Sequence, residues 1–119
     1  MKGEASAIRH IVHAARYSMD GFVAAFKDEV AFRLVCCESL VMITVASMVA
    51  SAWSTWVLLV LPSVLSIVVE LLNSALENTV DRISLEPHIL AKKAKDMGSA
   101  AQCVAQCFVF GTWIVFLLD

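Results

Sequence analysis

The chain has 119 residues, 60% hydrophobic and 17% charged, with net charge −2, pI near 5.9 and mean hydropathy +0.78. Soluble domains are about 45–50% apolar and about 25% charged, so this composition argues against a soluble globule. The acidic balance argues against a nucleic-acid binder, and four Gly with two Pro argue against a disordered or collagen-like chain.

The first element spans about 5–27. Ile8, Ile11, Val12, Ala15, Met19, Phe22, Val23 and Phe26 fall on one face of a helix, with Arg9, His10, His13, Arg16 and Asp20 off it. Such a helix lies in the membrane interface. It reads as an anchor or as a lid over an interfacial site. No uninterrupted apolar core precedes residue 30, so no signal peptide is expected and the first span directs insertion.

Three spans follow, at 31–51, 54–82 and 97–118, each near the roughly 20 apolar residues that a crossing needs. Residues 34–52 hold one carboxylate, Glu38; residues 53–69 and 97–118 hold no charge. A soluble three-helix bundle would need polar faces that these segments lack. All nine Lys and Arg lie on one side: up to Arg33 at the mouth of the first span, or from Arg82 at the end of the second to Lys95 before the third. The positive-inside rule makes that side cytoplasmic and sends the C-terminus out. Trp53, Trp56 and Trp113 lie towards the outer ends, as aromatic-belt residues do. Cys36, Cys37, Cys103 and Cys107 lie within spans without a zinc-ligand pattern and read as free, small apolar fillers.

The second span runs past the membrane surface. Glu70, Asn73, Glu77 and Asp81 are spaced three, four and four, which puts them on one helix face at about 100° per residue. Carboxylates at this depth are costly and repel one another, so they point to a compensating cation, metal or shared proton. Oxygen donors of this kind suit Mg²⁺, which takes one or two carboxylates with phosphate and water. Asp28-Glu29 before the first span and Lys92-Lys93-Ala94-Lys95-Asp96 before the third share the same boundary. A Lys beside carboxylates also suits a bound phosphate. There is no P-loop, glycine-rich nucleotide loop or protein-kinase signature. Pattern alone therefore gives a metal- or proton-handling carboxylate site at the inner membrane surface.

Val69-Glu70-Leu71-Leu72-Asn73-Ser74-Ala75 with Glu77 resembles the signature of the small prokaryotic diacylglycerol kinases. Val80-Asp81-Arg82-Ile83, Ala94-Lys95-Asp96-Met97-Gly98-Ser99-Ala100-Ala101, Ala31-Phe32-Arg33 and Ala14-Ala15 with Tyr17-Ser18 extend the resemblance over nearly the whole chain. It implies an all-α integral-membrane fold: an amphipathic surface helix and three transmembrane helices, assembled as a homotrimer in the bacterial inner membrane. It implies transfer of the γ-phosphate of ATP, with Mg²⁺, to diacylglycerol, giving phosphatidic acid. By the same resemblance Glu70 is the general base and Glu29 and Glu77 hold Mg²⁺. His10, Tyr17, Glu86, His88, Lys95 and Asp96 surround ATP. Ala14, Ser18, Arg33, Glu70 and Ser99 contact the lipid, and Asn73 and Asp81 support the site. Partly desolvated, Glu70 suits a base, and phosphoryl transfer asks chiefly for positioning and charge neutralisation.

The same family includes undecaprenol kinases, and Asp96-Met97-Gly98-Ser99-Ala100 is closer to the diacylglycerol branch. A small proton-handling transporter or assembly subunit is the alternative from another class; it has no use for Lys95, Asp96 and Glu29 together. Three departures stand out. His10 occupies a position where the family usually has Arg, with Arg9 one residue earlier. Glu38 stands three residues beyond Val35, where the family often has an acid. Gln102 and Gln106 interrupt the third span, and their spacing of four suits hydrogen bonding between helices.

Overall fold

Apolar runs of this length fold as helices because a helix satisfies its own backbone hydrogen bonds in lipid. The computed structural model describes residues 1–119, the side chain of Lys2 excepted. They form four helices: α1 (Lys2–Asp28), α2 (Val30–Val49), α3 (Trp53–Ile83) and α4 (Ile89–Leu118). By length and composition, α2, α3 and α4 are each able to cross a membrane.

Glu29 alone separates α1 from α2, with an extended backbone at φ −108° and ψ 108°. Arg33, in the first turns of α2, reaches back across this elbow. Its Nη1 donates to Phe26 O and Lys27 O, both at 2.8 Å, which covers the open carbonyls at the end of α1. At the other turn, Pro87 and His88 precede α4, and His88 Nδ1 accepts the Leu90 N–H at 3.0 Å as an N-cap. Helix α4 therefore starts well before the uncharged run from Met97.

Helix α3 is central, packing on α4 and α2, while α1 packs only on α2 and α3. Its inward face holds Leu59, Val60, Ser63, Ser66, Glu70 and Ser74. Small residues on this face let neighbouring backbones come close, the main source of helix association in lipid. At the end remote from Glu70, Ala46, Leu59, Val60, Val109 and Trp113 form a core cluster. Trp113 is thus a core residue, 9% exposed, rather than a belt residue facing lipid. Trp53, 76% exposed, stacks on Trp56 at 5.0 Å, and Trp56 Nε1 donates to Ser47 Oγ at 2.9 Å. All four cysteines are free, and Cys37, Cys103 and Cys107 lie on the outside of the chain instead of filling its core. Pro62 is accommodated within a continuous α3.

Candidate active site

The packed face of α3 leads to the site. At 1.5 Å per residue, the uncharged residues 53–69 span about 26 Å, close to the roughly 30 Å of a bilayer core. Glu70 follows at the boundary and is only 4% exposed. It lines a cavity of about 430 Å³ with Glu29 from the α1–α2 elbow, Asn73 and Glu77 from α3, and Ser99 from α4. Five of the residues singled out in the sequence thus meet in one place. Gly98 makes this possible: α4 passes so close that a Cβ on Gly98 would lie 2.0 Å from Asn73 Oδ1. Ser18 and Glu29 also line a neighbouring groove between α1 and α3.

The same cavity continues towards Gln102 and Gln106. Gln102 Nε2 donates to Ser66 Oγ at 2.9 Å. Gln106 Nε2 donates to Ser66 Oγ at 2.8 Å and to Glu38 Oε2 at 3.0 Å, joining α4 to both α3 and α2. The two glutamines bond between helices, as their spacing suggests.

A second cavity, of about 650 Å³, lies where α3 turns into α4. Asp81, Glu86, His88, Lys92, Lys95 and Asp96 line it. The adjacent Lys95 and Asp96 do not pair with each other. Lys95 Nζ donates to Asp81 Oδ1 at 2.6 Å, tying α4 to α3, and Lys92 pairs with Asp96 along α4 at 2.5 Å. The Lys92 pair is open to solvent, where screening leaves it little weight. His10, Ala14 and Tyr17 are exposed on α1 and lie outside both cavities. Tyr17 stacks on His13, with ring centroids 6.3 Å apart, and Ser18 Oγ donates to Ala14 O at 2.9 Å.

Among the described residues, no group of three His, Cys, Asp or Glu is arranged to hold a metal unaided. Glu29 and Glu77 on one cavity nevertheless match, in kind and number, the one or two carboxylates that Mg²⁺ takes when phosphate and water complete its shell. Asn78, which lies off the polar stripe of α3, belongs here too. Asn78 Nδ2 donates to Glu29 Oε1 at 2.9 Å, across 49 positions that no local pattern spans.

Three helices long and apolar enough to cross a membrane, with a carboxylate-lined cavity beyond the uncharged run of α3, define the class of a small helical membrane protein. A family model described as Prokaryotic diacylglycerol kinase matches residues 16–117. A diacylglycerol kinase of Pseudomonas aeruginosa is 46% identical over 117 residues, covering 98% of this chain and 94% of its own. One of Helicobacter pylori is 44% identical over 115 residues, covering 97% and 90%. That of Escherichia coli K12 is 39% identical over 117 residues, covering 98% and 96%. The chain belongs to the prokaryotic diacylglycerol kinase family and is an enzyme of that class.

Proposed function

We propose that the protein transfers the γ-phosphate of ATP to the free hydroxyl of diacylglycerol, giving phosphatidic acid and ADP at the cytoplasmic face of the bacterial inner membrane. The observation that carries this reading is the buried Glu70, which shares one cavity with Glu29 and Glu77 at the end of an uncharged helical run. A lipid hydroxyl sits at the depth of that boundary. Glu70 takes its proton, and the oxygen attacks the γ-phosphorus as the bond to ADP breaks. Glu29 and Glu77 are the residues that would hold Mg²⁺, which supplies charge neutralisation on the phosphate oxygens. Asn73 and Ser99 border the reacting groups.

The second cavity is read as the nucleotide side, with Lys95 bringing positive charge and Asp96, Glu86 and His88 around it. His10 and Tyr17 are ascribed to the same nucleotide, and Ala14, Ser18 and Arg33 to the lipid. Because α1 does not pack on α4 among the described residues, His10 and Tyr17 would meet Lys95 from a neighbouring copy, in keeping with composite sites in the homotrimer that the family resemblance implies. The distribution of Lys and Arg supports a cytoplasmic N-terminus and a periplasmic C-terminus.

Glu70→Gln tests the reading. The amide keeps the shape of the side chain and cannot take a proton, so turnover should fall about 10²–10⁴-fold while ATP binding persists. A mutant keeping more than about a tenth of the wild-type rate would remove Glu70 as the base.

A further inference from the structure

Glu29 is the single residue between two helices, and no side-chain cap bond holds it from either. Its carboxylate is held from α3. Asn78 Nδ2 donates to Glu29 Oε1 and to Ser74 O, both at 2.9 Å. An amide nitrogen carries two hydrogens, so both are engaged and the orientation of the side chain is fixed. Arg33 secures the other side of the same elbow through the last carbonyls of α1. Glu77, the residue before Asn78, lines the cavity with Glu29.

We propose that Asn78 is a positioning residue for divalent-cation binding. It ties Glu29 to the helix that carries Glu70 and Glu77, and it engages Oε1 so that Oε2 is left for the cation. The elbow would otherwise let the two carboxylates drift apart, since Glu29 sits between helices and Glu77 on α3, with no other hydrogen bond between Glu29 and α3 among the described residues. Partners that orient a ligating carboxylate typically change metal affinity or activity by about 10–100-fold when removed. The inference rests on the proposed role of Glu29 as a cation ligand.

Mn²⁺ is the probe, read by electron paramagnetic resonance on purified protein in phosphatidylcholine vesicles with a non-hydrolysable ATP analogue. Asn78→Ala should weaken Mn²⁺ binding about tenfold or more at an unchanged melting temperature without metal. Asn78→Gln, which keeps the amide donor, should recover most of the affinity. Glu29→Gln serves as the reference and should weaken binding as well. Wild-type affinity in Asn78→Ala beside a weakened Glu29→Gln overturns the inference alone. So does an affinity loss that follows a lowered melting temperature and is not recovered by Asn78→Gln. Wild-type affinity in Glu29→Gln overturns the cation role of Glu29, and the inference falls with it.

Discussion

At Gly98 a single hydrogen stands where any other residue would place a carbon 2.0 Å from Asn73 Oδ1. Gly98→Ala must push Asn73 aside, or α4 away from α3, within the cavity that holds Glu70. Overpacking of this kind costs about 1–3 kcal/mol of stability, and displacing Asn73 within the cavity should lower the rate as well. Gly111→Ala is the control: a Cβ there meets nothing within 4 Å, and its kinetics should match wild type. A Gly98→Ala enzyme with unaltered kcat and KM would show that the close approach is not needed. Glu70, Asn73 and Glu77 were legible in the sequence because helical periodicity alone puts them on one face. Asn78 was not, because it lies off that stripe and its partner is remote in the chain. Arg33 was legible only as a member of a motif; its bonds to the end of α1 depend on an elbow that hydropathy does not reveal.

The elements were legible because an apolar run has few alternatives to a helix in lipid, but the faces they present were not. Hydropathy gives the depth of Trp113 and is silent on whether it turns to lipid or to the core. Spacing, by contrast, did give the lateral bonds of Gln102 and Gln106. Gln106 is the donor that Glu38 receives, and Glu38 Oε1 has no partner among the described residues. Gln106→Leu should therefore lower stability by about 0.6–2 kcal/mol, the range of interhelical hydrogen bonds in membranes. Glu38→Gln, with an acceptor oxygen still available, should change it little. Thermal unfolding of the purified proteins in one detergent compares them, and equal melting temperatures for Gln106→Leu and wild type would deny the network a stabilising role.

Over the whole molecule, three thin spans leave broad apolar faces uncovered, among them Leu40, Leu58, Val104 and Phe108. Lipid covers such faces equally well, so the argument for copies rests on the proposal that His10 and Tyr17 of α1 serve the same nucleotide as Lys95 of α4, two helices that do not pack on each other among the described residues. If each site takes α1 from one chain and the Glu29–Glu70–Glu77 cavity from another, mixing an inactive Glu70→Gln protein with a protein inactivated on α1, His10→Ala with Tyr17→Ala, should restore activity. Both defects then fall in one site of a hybrid and leave another intact. Mixtures that stay inactive at every ratio would confine the site to one chain. The central claim, a carboxylate site that phosphorylates a lipid alcohol at the membrane surface, is tested most directly by label transfer. Purified protein in vesicles with Mg²⁺ and γ-³²P-ATP should convert diacylglycerol to labelled phosphatidic acid, faster than it labels undecaprenol. Preferential labelling of undecaprenol would contradict the acceptor, and no labelled lipid from either would contradict the account itself.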